Sequence, residues 1–356
     1  MFLAIKEIRY SKLRYGLIVG IMFLIAYVVF MLSGLANGLS EEFKKAIDDW
    51  DAQEIVLSED ANQVFAASQL TRGDLKYIEG GEKAPIGLYS GAIKGKNKEN
   101  VTVFGTTKEA FLLPKLTKGH EFKTKNEIII SQNLADSGYK IGDTIKIGSY
   151  DDPLTIVGIF PETYYTVSPV IYASLDTWTA LKYGQQPFAS EEEQPINGIV
   201  IKDSAKISKE KASKGLQLLT IGTFIESIPG YSAQNMTLNA MIYFLFLVVA
   251  AVVGIFMYVM TLQKTAIFGV MKAQGITGGF IARSVVAQTF ILSFVGILLG
   301  LLGTVGTSLV LPDEVPFQSN WLFFGVISLL MLVVAVLGAL FSVRTIVKID
   351  PLKAIG

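Results

Sequence analysis

The 356 residues are 51% hydrophobic and only 17% charged, with a mean hydropathy of +0.46. That is too apolar for an ordinary soluble chain. No cysteine is present, which excludes thiolate zinc sites, iron–sulfur clusters, disulfides and cysteine nucleophiles, and a single histidine, His120, excludes a His-rich metal site. The zero net charge conceals an asymmetry, since residues 41–238 hold 21 Lys/Arg against 27 Asp/Glu and the remainder holds 10 against 4. Neither block has the basic excess that nucleic-acid binding needs.

The chain opens with Lys6, Arg9, Lys12 and Arg14 against Glu7 alone, followed by 26 residues without a charge up to Glu41. Three further charge-free gaps run from Glu226 to Lys264 (37 residues), Arg283 to Asp313 (29) and Glu314 to Arg344 (29). A helix needs roughly 20 apolar residues to cross the hydrocarbon core. The gaps therefore predict spans at Tyr15–Leu39, Asn239–Leu262, Ser284–Leu311 and Trp321–Val343. The first stretch is longer than an ordinary signal-peptide core, which favours a retained helix over a cleaved leader. Its pairs Gly16/Gly20 and Gly34/Gly38, with Gly296/Gly300 in the third span, are small-xxx-small spacings that let helices approach closely. Packing within one subunit explains them. A dimer seam along the stripe Tyr27, Met31, Gly34 and Gly38 is the sharper alternative.

Residues 40–238 read as a mixed α/β domain. It starts with an amphipathic helix, since Phe43, Ala46, Ile47 and Trp50 recur at helical spacing between charged positions. This helix either continues the first span or restarts with Ser40 as its cap. With the uncharged segment Tyr231–Leu238, it is expected to form a stalk. Asn126–Ser131 and Leu154–Phe160 read as strands, Gln132–Ser137 as a short helical turn and Ile141–Ile147 as an alternating strand. His120 sits in a solvated turn, and Glu191–Glu193 reads as a solvated loop.

Basic residues near the span ends set the orientation. Lys264, Lys272 and Arg283 lie in the link between the second and third spans, and Arg344, Lys348 and Lys353 in the tail, whereas Asp313 and Glu314 occupy the loop between the third and fourth. Both termini are expected to be cytoplasmic and residues 40–238 outside. The fold class is thus a four-helix membrane protein of 1+3 topology. Residues 1–39 hold the cytoplasmic N-terminus and first span, 40–238 the extracytoplasmic α/β domain with its stalk, and 239–356 the remaining spans, a coupling helix (265–275) and the tail. The absence of G-x-x-x-x-G-K-[ST], of G-x-S-x-G and of charges within the spans argues against an intrinsic ATPase, a serine hydrolase and a proton-coupled carrier.

The link Gln263–Ile276, with its Lys272-Ala273 pair and Gly275, resembles the coupling segment of MacB/FtsX-type ABC transporter permeases. The tail Lys348–Gly356, carrying Asp350-Pro351 and Ala354, is similar to their closing motif. Within that superfamily, Leu3–Ile8, Ser33–Leu39 and Phe256–Lys264 look most like the haem-regulated transporter permeases (HrtB) of Gram-positive bacteria. The resemblance implies a plasma-membrane permease that is not itself an enzyme. It further implies a homodimer that works with two copies of a cytoplasmic ATPase, which binds the ATP, and that moves an outer domain by mechanotransmission to expel haem. Lys264, Ile267, Gly269, Val270, Met271, Lys272 and Gly275 then form the ATPase-coupling segment, for which a helix lying on lipid is the alternative. A haem cargo suits Met or Tyr ligands here. The candidates are Met31, Tyr164, Tyr165, Tyr231, Met236 and Met241, with Phe43 and Trp50 to stack and Glu226 as a polar contact. No intrinsic metal or cofactor is expected. Peptide export and signalling to a cell-wall hydrolase are the competing functions.

Overall fold

The computed structural model describes residues 12–94, 98–184, 188–208, 215–312 and 315–347. The Leu3–Ile8 and Lys348–Gly356 motifs lie outside them, as do Asp313 and Glu314. The chain forms two compact units, one of Met1–Gly38 with Asn235–Gly356 and the other Leu39–Gln234.

Helix α1 runs from Lys12 to Asp48 without a break, so the apolar stretch and the amphipathic one are a single helix. Ser40 is not a cap. Its hydroxyl lies 3.2 Å from the Tyr231 hydroxyl. Ala46 and Ile47 at the end of α1, with Trp50 just beyond it, are fully buried in the core of the second unit.

That core sits on an eleven-stranded sheet comprising β1 (Glu54–Ser58), β2 (Lys83–Ile93), β3 (Glu99–Thr106), β4 (Lys118–Gly119), β5 (Glu127–Ser131), β6 (Thr144–Ile145), β7 (Leu154–Phe160), β8 (Tyr164–Tyr165), β9 (Ser168–Ser174), β10 (Gly198–Ile201) and β11 (Leu216–Thr220). The order is β11-β1-β10-β2-β3-β9-β5-β7-β4, with β8 pairing β9 and β6 pairing β7. The β3–β9 and β5–β7 pairs are parallel. Such a sheet is covered on both faces, which is why β5 reads as an unbroken Ile128-Ile129-Ile130 run. Ile129 joins the cluster around Trp50, while Ile128 and Ile130 join the cluster on the opposite face.

Three short helices, α2 (Gln132–Asp136), α3 (Leu175–Tyr183) and α4 (Ile221–Glu226), complete the unit. The Ser174 side chain caps α3 by accepting from the Thr177 N–H. Trp178 of α3 is fully buried over the cross-strand pair Gly87 and Gly105, where a Cβ at either position would come within 2.2 Å of its atoms. The Ile141–Ile147 strand is shorter than its alternation suggests. Gly142 takes φ +95°, a turn conformation, the regular ladder to β7 is confined to Thr144–Ile145, and Ile147 instead bridges to Ile93 of β2.

The other unit contains most of α1 with α5 (Tyr231–Gln263), α6 (Thr265–Ala273), α7 (Gly278–Ser308) and α8 (Trp321–Val347). Helices α1, α5, α7 and α8 are long and apolar enough to cross a membrane. Glycines set the closest approaches. A Cβ on Gly296 or Gly300 of α7 would lie 2.5 or 2.6 Å from Cβ of Met22 or Ala26 on α1. A Cβ on Gly34 would meet the Phe317 ring at 2.2 Å, and one on Gly38 the Pro316 carbonyl oxygen at 2.2 Å. Tyr27 stacks on Phe23 and its hydroxyl lies 3.0 Å from Thr307 Oγ1. Within this chain, the 315–318 segment covers Gly34 and Gly38, and Tyr27 faces α7. Gly16 and Gly20 face open space.

Candidate functional site

On α5, Met236, Ala240 and Phe244 form one i, i+4 ridge and Thr237, Met241 and Leu245 the next. Together with Leu32 of α1 they line an open, almost wholly apolar groove of about 520 Å³. Its volume is that of a small-ligand site. Met236 is 72% exposed and Met241 47%, so both thioethers are accessible in this chain. The groove unites two of the sequence candidates. Met31, half-buried beside Leu32, is not among its lining residues. The sequence does not single out Leu32, Thr237, Ala240, Phe244 and Leu245, although the two i, i+4 rows are visible once α5 is known to begin at Tyr231.

The remaining candidates belong to the sheet unit and mostly hold it together. Tyr165 is 4% exposed and packs edge-on to Phe65 and Phe104, and burial raises its phenol pKa. Tyr165 is thus enclosed in the core of the sheet unit. Trp50 is fully buried and donates its indole N–H to the Tyr172 hydroxyl at 3.0 Å, which removes it as a stacking surface. Phe43 and Tyr231 pack together, with ring centroids 6.1 Å apart, against the same core. Tyr164 is half-buried. Its hydroxyl donates to Glu162 at 3.0 Å, and its pKa is pushed up to about 12, first by burial and then by the neighbouring carboxylate. Glu226 is exposed at the end of α4. His120 is exposed, with Nδ1 2.8 Å from the Glu121 carbonyl oxygen. Among the described residues no group of three or more His, Asp or Glu is placed to hold a metal.

The coupling segment is a real helix, α6, with two faces. Ile267 (56% exposed) and Val270 (44%) point outward, whereas Phe268 and Gly269 are buried and Met271 packs against the helical core. Gly275 ends the helix at φ +85°. The Gly275 N–H donates to the Lys272 carbonyl and the Ile276 N–H to the Met271 carbonyl, each at 3.0 Å, while Ile276 packs into the core. This is a Schellman closure, and it accounts for the glycine by backbone geometry. Lys264 turns inward. Its ammonium donates to the Tyr15 hydroxyl at 2.8 Å and lies 5.5 Å from that ring's centroid, and the hydroxyl in turn reaches Gln288 Oε1 at 3.4 Å. Gly269, Met271 and Lys264 thus lie on the packed side of α6, and its outward face is Ile267 and Val270. Lys272 is half-buried.

Four apolar helices long enough to span a bilayer, a sheet-rich unit inserted after the first of them, and a short amphipathic helix between the second and third define a membrane permease architecture. Residues 15–217 match the MacB-like periplasmic core domain and residues 239–351 the FtsX-like permease C-terminal region. The chain belongs to the MacB/FtsX-type family of ABC transporter permeases. It is 30% identical to the putative hemin transport system permease protein HrtB of Staphylococcus haemolyticus, over 100% of this chain and 99% of that one. It is 29% identical to the Staphylococcus epidermidis protein of the same description, over the same shares of the two chains. The extracellular domain of the noncanonic ABC-type transporter YknZ from Gram-positive bacteria overlays with a TM-score of 0.33 and 13% identity, covering 47% of this chain and 98% of that domain.

Proposed function

We propose that this permease expels haem or a related porphyrin from the membrane, driven by a separate cytoplasmic ATPase. The observation that carries the reading is the groove of Leu32, Met236, Thr237, Ala240, Met241, Phe244 and Leu245. A porphyrin is flat and largely apolar, and it partitions into lipid. An open apolar wall on a membrane helix receives it sideways, and accessible thioethers are among the side chains that ligate its iron. The hemin transport description of the staphylococcal relatives supports the same cargo class.

In this reading both termini are cytoplasmic, the sheet unit lies outside, and two copies of the chain work with two ATPase subunits. The outward face of α6, Ile267 and Val270, docks on the ATPase. Tyr15, Lys264 and Gln288 tie the base of α6 to α1 and α7, so a push on α6 reaches α1, the helix that ends inside the sheet unit's core.

The test is haem tolerance. A strain lacking the permease should be more sensitive to added haem than its parent, and the wild-type gene should restore growth. Purified protein should show a saturable Soret band that Met236→Ala with Met241→Ala weakens and His120→Ala leaves alone. Unchanged tolerance on deletion would overturn the haem reading in favour of peptide export or signalling.

A further inference from the structure

A second groove lies between α7 and α8, lined by Ala282, Arg283, Val286, Ala287, Phe290, Val336 and Leu340, with a volume of about 530 Å³. Positions 283, 286, 287 and 290 share one face of α7, and 336 and 340 one face of α8. The trough is apolar along its whole length except for Arg283. From Arg283 to Phe290 is about 10 Å at 1.5 Å per residue, enough for the upper part of an acyl chain.

Arg283 is exposed and lies in the second turn of α7, close to the connection from α6. Among the described residues of this unit there is no Asp or Glu at all, so no carboxylate there neutralises it. A guanidinium at the end of an apolar trough facing lipid takes its counter-ion from the membrane. Its forked donors match phosphate oxygens, and basic pockets between membrane helices are where anionic headgroups are held. We propose that this groove binds one anionic phospholipid from the leaflet on the α6 side. The phosphate sits on Arg283 and an acyl chain lies along Ala287, Phe290 and Val336. This site is separate from the methionine groove and does not depend on the cargo assigned there.

Native mass spectrometry of the full-length protein, released from mixed micelles of phosphatidylglycerol and phosphatidylcholine, tests the proposal. Wild type should retain phosphatidylglycerol over phosphatidylcholine by about tenfold, because the choline ammonium of the zwitterionic lipid competes with Arg283 for the phosphate that phosphatidylglycerol leaves uncompensated. Arg283→Gln should abolish the preference, Arg283→Lys should keep most of it, and Ala287→Trp, which fills the trough, should lower retention of both lipids. Equal retention of the two lipids by wild type would overturn the proposal, a result that needs no variant to fold. So would an unchanged preference in Arg283→Gln, or displacement of the phosphatidylglycerol by equimolar haem, which would make the groove a cargo site.

Discussion

The outward face of α6 offers the sharpest test of coupling. Fully burying a Val or Ile side chain contributes about 1.5–3 kcal/mol. Val270 and Ile267 are about half exposed in the permease itself, at 44% and 56%, so docking has about 1 kcal/mol left to gain from each. The double variant Ile267→Ala, Val270→Ala should weaken the ATPase complex by about 2 kcal/mol, or about 30-fold in dissociation constant. Val270→Asp should do more, because an unpaired carboxylate buried at a contact costs about 3–5 kcal/mol. Neither change should disturb the permease alone, since both side chains already face outward. Phe268→Ala is the counterpart: that ring is 4% exposed, and its loss should lower the permease's own stability by about 3 kcal/mol. The assay is titration of purified ATPase onto full-length permease in nanodiscs, with thermal unfolding of each variant alongside. If the double variant binds with wild-type affinity while Phe268→Ala is destabilised, α6 is folded as described but lies on lipid, and the docking argument fails.

Close helix approach separates the glycines. Gly38→Ala should lose about 1–3 kcal/mol through overpacking against the Pro316 carbonyl, whereas Gly16→Ala, which faces open space, should melt like wild type; equal melting temperatures would refute the assignment. In the sheet unit, Gly105→Ala pushes a methyl into Trp178 and should expose the indole, read as a red-shifted fluorescence component that is absent in Gly222→Ala, where the added methyl meets nothing and the backbone is helical. Burial lowers the Lys182 pKa to about 8, while its ammonium lies 3.0 Å from Asn197 Oδ1 and 5.1 Å from the Trp178 ring centroid. The unfolded chain therefore binds the extra proton between about pH 8 and the ordinary lysine range, and this group makes stability rise with pH through that window. Lys182→Met should flatten the rise between pH 7.5 and 9.5; an unchanged slope would remove Lys182 as its source.

The features of this protein that depend on solvent can be read from its residues without coordinates. Charge-free gaps are a one-dimensional consequence of the cost of taking ions into lipid, so the four helices and the inserted unit are legible from charges alone. So too were β5 and β7, whose apolar runs need two covered faces, and the amphipathic period of residues 43–50. Which face of each element meets which neighbour is set by the packed chain. The same small-xxx-small spacing describes Gly34/Gly38, filled from within the chain by Pro316 and Phe317, and Gly16/Gly20, which are open. A tyrosine pair adjacent in sequence splits between a half-exposed Tyr164 and a core Tyr165, because alternate residues of a strand face opposite sides. The basic residues of the α6 link look alike as letters, yet Lys264 folds back onto Tyr15 and Arg283 heads an apolar groove. Spacing fixes a residue's angle about its own helix, but only the packed neighbours determine whether that angle points into the protein or out to a ligand.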